Sequence, residues 1–134
     1  MVWESNAKNA GFSSADKPWL PISTEHTNRA VNVQEKDTNS ILQFTRWLIE
    51  WRKNYEALLY GDIKFVDVKD ENILAFEREF ESKKMLCLFN LSDKETSFEL
   101  SSEAKDIEET KLSYSRKDNI ITLPAWGAYF GDID

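Results

Sequence analysis

The chain has 134 residues, 41% hydrophobic and 31% charged, the composition of one soluble globular domain or of a small domain with appended elements. Its net charge of −7 argues against nucleic acid or an anionic membrane as partner, since both need a basic surface. A single cysteine, Cys87, and a single histidine, His26, exclude an internal disulfide, a zinc site built on cysteine pairs and any site needing two histidines.

No apolar run is long enough to span a bilayer, so no membrane partner is expected. No positively charged start leads into an apolar stretch, so no signal peptide is expected, and the lone cysteine fits a reducing cytoplasm.

Residues 1–36 show no sustained period of 2 or 3.6 and read as loop. Residues 3–21 hold Trp3, Phe12, Trp19, Gly11, Pro18 and Pro21, too many loop-formers for a helix and too many aromatics for a disordered tail. Helix signals begin at Asp37, with Thr38, Asn39 and Ser40 as further cap candidates. Ile41, Phe44, Leu48, Trp51 and Tyr55 then recur every three or four residues, predicting one helix over about 37–58 that stops at Gly61. Trp47 widens its apolar stripe, the mark of a helix buried against a sheet.

After Gly61 the period changes to 2. Ile63 and Phe65, then 73–80, 85–89, 96–100, 111–115, 119–122 and 125–130 read as short strands separated by turns, which describes an antiparallel sandwich. The continuously apolar 85–89 reads as a central strand buried on both faces. Residues 102–110 read as an acidic, solvated loop. The fold class expected is therefore mainly β, with a long loop and one α-helix before the sandwich.

No catalytic set stands out. Glu77, Glu79 and Glu81 alternate along a strand and read as a solvated face. Asp106, Glu108 and Glu109 fall in the polar loop, and Asp132 and Asp134 close the chain. None has the apolar neighbours that raise a carboxyl pKa for acid catalysis. There is no calcium loop pattern, no G-x-S-x-G and no glycine-rich phosphate loop, so no cofactor or metal is expected. His26 reads as a locally bonded loop histidine and Cys87 as an inert core thiol. Trp3, Phe12 and Trp19 could stack on a sugar or could pin the loop to a neighbouring core.

Taken together, Met1-Val2-Trp3-Glu4, Asn9-Ala10-Gly11-Phe12-Ser13, Pro18-Trp19-Leu20-Pro21, Asn32-Val33-Gln34 and Asn90-Leu91-Ser92 resemble the closing segment of α-glucosidases and oligo-1,6-glucosidases of the α-amylase superfamily, glycoside hydrolase family 13. The resemblance implies a (β/α)8 barrel carrying catalysis, followed by an antiparallel β-sandwich known as domain C. Residues 1–60 then end the barrel and 61–134 form the sandwich. Met1 to Trp3 correspond to the last barrel strand, and the loop after it lies on the catalytic face. Asn9, Phe12 and Trp19 are the expected substrate-binding residues, on a loop at the pocket rim of the intact enzyme.

The family's nucleophile, acid/base and transition-state-stabilising carboxylates lie on earlier strands, and none maps onto this chain. The expectation is a non-catalytic fragment whose partner is the missing barrel, with α-linked oligosaccharide bound only by the intact enzyme. The alternative is a stand-alone carbohydrate-binding or protein-interaction β-module.

Overall fold

The computed structural model describes residues 1–100, 103–107 and 110–133, so the expectations for Glu108, Glu109 and Asp134 lie outside the described residues. The chain divides into two compact units, Met1–Trp51 and Arg52–Asp134.

Within the first unit, residues 1–36 are not the plain loop that their aperiodic sequence suggested. Besides a 3-10 turn at Lys8–Gly11 it holds two short helices, α1 (Thr24–Asn28) and α2 (Val31–Gln34). Each is only about one turn long, too short to show a hydrophobic period. The Ser23 hydroxyl caps α1 by accepting the His26 N–H at 3.3 Å. Backbone bonds from Val31 N to Val2 O (3.1 Å) and from Asn32 N to Trp3 O (3.0 Å) tie the start of the chain to α2.

The long helix α3 (Ile41–Arg52) is capped by Ser40 rather than Asp37. The buried Ser40 Oγ accepts the Gln43 N–H at 3.3 Å and donates to Gln34 O at 2.8 Å, whereas the Asp37 carboxylate closes a local turn on Asn39 N. Phe44, Trp47 and Trp51 line one side of α3, with ring centroids 5.5 and 5.8 Å apart in succession.

The helix predicted over 37–58 is in fact two. Tyr55 is extended (φ −122°, ψ 106°) and separates α3 from α4 (Glu56–Tyr60). Arg52 bridges the break, its guanidinium donating to Leu58 O at 2.8 Å, so the carbonyl end of α4 is bonded from behind. Gly61 does end α4, but without the left-handed turn of a glycine C-cap: its φ is −68°. A Cβ there would strike Ala57 O and come within 2.8 Å of Glu79 O, so close packing of α4 on the sheet is what demands glycine.

The second unit is an antiparallel β-sandwich, as its turn spacing predicted. One sheet runs in the order β1-β2-β3-β8-β5, formed by Asp62–Phe65, Ile73–Phe80, Lys83–Asn90, Ala128–Ile133 and Ala104–Asp106. The other, β4-β7-β6, is formed by Thr96–Glu99, Ile120–Leu123 and Ser115–Lys117. Every pairing among the described residues is antiparallel. Between the sheets lie Ile73, Ala75, Leu86, Leu88, Leu100, Ala104, Ile121, Leu123, Tyr129 and Ile133, all buried. Strand β3 is central, and its run Met85 to Leu88 is buried on both faces, as its unbroken apolar sequence required.

On the opposite face of that sheet Phe65, Phe76, Phe89 and Phe130 form a chain of ring contacts 5.7–6.2 Å apart. Cys87 lies on this face between Phe76 and Phe130, and burial pushes its thiol up to about 12, which leaves it unreactive.

Strand β5 corrects the expectation of a solvated loop at 102–110. Its three residues pair with β8 at the sheet edge through backbone bonds, so only Ala104 needs to be apolar. Asp106 is not a free surface carboxylate. It accepts from Arg116 Nη1 at 2.6 Å and from the buried Tyr129 hydroxyl at 3.0 Å. Gly131 makes room for that tyrosine, since a Cβ would meet its ring carbons at 2.8 Å.

Candidate functional site

The concave feature of the first unit is a cavity of about 640 Å3. Its wall is mostly apolar, contributed by Met1, Val2, Phe12, Trp19 and Leu20 among others, with His26, Arg29 and Gln34 as polar members. Such a wall with a few polar groups is the usual make-up of a binding site.

The loop that carries Phe12 is held by a run of left-handed backbone. Asn9, Ala10 and Gly11 have φ of 49°, 53° and 74°. Two of these are non-glycine, a conformation that costs free energy and persists only when the surroundings hold it. They do so here. Ala10 is buried and its carbonyl accepts Trp3 N at 2.9 Å and Glu4 N at 3.1 Å. The Asn9 amide donates to Ser13 O (3.2 Å) and Ala15 O (2.6 Å), closing the loop on itself.

Of the three residues expected at the site, Phe12 and Trp19 line the cavity together, while the Asn9 side chain is engaged by its own loop. Trp19 is 95% exposed, so its indole has almost no contact within this chain. Trp3, the third aromatic of the loop, is not part of the wall.

His26, read from the sequence as a locally bonded loop histidine, is a helical member of the wall, and Arg29 was not singled out. His26 lies on α1 and Arg29 is the residue that caps its C-terminal end, and the Ser23 cap three residues before His26 was the available signal. Arg29 is steadied by Nε donating to Glu25 O at 3.3 Å, and Gln34 by Nε2 donating to Arg29 O at 2.7 Å. The bidentate Arg46–Glu35 pair lies off the wall, and its hydrogen bonds hold the Glu35 carboxyl below its ordinary value.

Chemically the wall can stack and donate hydrogen bonds. No wall residue is a carboxylate, and glycoside hydrolysis by the two-carboxylate route needs a pair flanking the scissile bond. Among the described residues no cluster of histidine, cysteine and carboxylate groups could hold a metal ion, and no helix is long and apolar enough to cross a membrane.

Residues 63–130 match the family model described as maltogenic amylase, C-terminal domain, and residues 1–61 match that described as alpha amylase, catalytic domain. The chain is 43% identical over 131 residues to the "Probable alpha-glucosidase" of Rhizobium meliloti, covering 97% of this chain and 23% of that protein. It is 32% identical to an alpha-glucosidase of Saccharomyces cerevisiae, covering 88% of this chain and 21% of the other. Among solved structures, the alpha-glucosyl transfer enzyme XgtA superposes with a TM-score of 0.90 at 32% identity, over 100% of this chain and 25% of that one. The chain thus spans about a quarter of the length of the proteins it matches.

Proposed function

The chain belongs to the family of the maltogenic amylase C-terminal domain, and from that premise we propose that it is the closing portion of an α-glucosidase-type glycoside hydrolase acting on α-glucosidic bonds of small oligosaccharides. Residues 1–60 end the catalytic barrel and residues 61–134 are the domain that follows it. By itself the chain does not catalyse. It completes and stabilises a barrel, in the cytoplasm, and meets oligosaccharide only as part of the intact enzyme.

The observation that carries this reading is the wall of the cavity. Met1 and Leu20 are 78% and 65% exposed, an apolar surface that a barrel packed against it would cover. In that setting the loop held by Asn9 lies at the rim of the sugar pocket, with Phe12 and Trp19 facing the part of the substrate beyond the scissile bond.

The test is kinetic. In the intact enzyme, Phe12→Ala and Trp19→Ala are expected to raise KM for maltose about tenfold, the loss of one aromatic contact, with a smaller change in kcat. Unchanged Michaelis constants in both variants contradict a role of this loop in substrate binding.

A further inference from the structure

The β-sandwich carries an exposed aromatic whose backbone is unusual. Trp126, in the turn between β7 and β8, has a φ of +58° and is 68% exposed. A bulky residue in the left-handed region is a genuine outlier, tolerated only where its surroundings impose it.

The imposing group is Asn90, at the end of β3 and almost fully buried. Its amide donates to Lys94 O at 2.6 Å and to Pro124 O at 2.8 Å, and its Oδ1 accepts from the Ser92 N–H and hydroxyl at 3.0 and 2.8 Å. Its backbone N–H reaches Gly127 O at 2.8 Å, while Trp126 N donates to Ser92 O at 3.0 Å. One side chain thus locks the β3–β4 and β7–β8 turns into a single rigid ledge.

Leu91, 55% exposed, lies on this ledge and is bonded through its N–H to Asn72 O at 2.7 Å. Asp93, in the same turn as Leu91, and Asn72, whose carbonyl accepts the Leu91 N–H, are both exposed, and the Asn72 amide nitrogen donates to Asp70 Oδ1 at 2.9 Å. The ledge is at the far end of the sheet from α4, whose Glu56 pairs with Lys83 at the opposite end of β3, about 24 Å away along eight strand residues.

We propose that this ledge binds an α-glucan chain, with Trp126 stacking on a pyranose and Asp93 and Asn72 hydrogen-bonding its hydroxyls. A pyranose offers an apolar C–H face and a hydroxylated edge, which matches one exposed indole and exposed polar residues on the same pair of turns. Two exposed apolar residues are too few to anchor a stable protein interface, which buries on the order of 1,200–2,000 Å2. Rigidity lowers the ordering cost of a weak contact, so affinity is expected in the millimolar range. The choice of an α-linked glucan rests on the function proposed above, whereas the ledge itself does not.

Native gel electrophoresis of the full chain through glycogen tests this, with a soluble β-glucan gel as a second arm. Wild type is expected to be retarded by glycogen, and Trp126→Asn to lose that retardation about tenfold. Asn tolerates positive φ, so the turn survives, and an unchanged circular dichroism spectrum verifies it. Tyr60→Ala, which removes an exposed aromatic of α4 at the other end of the sheet, should be retarded like wild type. Equal retardation of wild type and Trp126→Asn overturns the site, as does the absence of retardation in glycogen. Retardation by β-glucan alone overturns the α-glucan assignment. Failure of the glucosidase reading is seen elsewhere, in the turnover of a polypeptide joined to its barrel.

Discussion

Asp106 illustrates how much one side chain can be hidden by its neighbours in sequence. Partial burial raises its carboxyl, but hydrogen bonds from Arg116 and Tyr129 and the guanidinium charge outweigh that, leaving it below its ordinary 3.8. A carboxyl depressed in the folded state adds stability that is complete above its unfolded value and is lost as pH falls through the folded one. The stability gap between wild type and Asp106→Asn should therefore be largest above about pH 4 and narrow on acidification. Denaturant titrations from pH 7 to 2 measure it, and a gap constant across that range contradicts the assignment. None of this was legible in a stretch of charged residues, because the partners are 10 and 23 positions away. The cavity shows the same limit: Phe12 and Trp19 stood out as aromatics in a loop, whereas His26 and Arg29 became visible only once α1 had formed.

Among the elements, those with a sustained period were read correctly and those held by single contacts were not. Ile41 to Trp51 and Met85 to Phe89 announce a helix and a buried strand, and both are present. The break at Tyr55 was illegible because the apolar spacing continues across it, and the guanidinium that bridges the break reaches Leu58 O, six residues on. Strand β6 likewise falls at Ser115–Lys117 rather than 111–115, since three exposed residues carry no alternation. Asn90 is the clearest case of an element held by one residue, because it closes both turns at its end of the sandwich. Asn90→Ala leaves several buried partners unsatisfied and should cost on the order of 3 kcal/mol. A thermal midpoint within a degree or two of wild type contradicts that role.

At the scale of the molecule, the β-sandwich has a core of its own, while the first unit displays apolar groups that nothing within it covers. That asymmetry was partly legible in the sequence, where an aromatic-rich loop and one broad-striped helix precede an all-β module. The sequence did not reveal how strongly the first unit depends on local braces such as Asn9, because left-handed backbone leaves no periodic trace. In the function proposed above, this chain completes a hydrolase without supplying its chemistry. Measuring maltose hydrolysis by the chain alone, and by the same chain joined to a (β/α)8 barrel of its family, tests that claim most directly. No turnover above background is expected for the chain alone, and measurable turnover for the joined polypeptide. Turnover by the chain alone would contradict it.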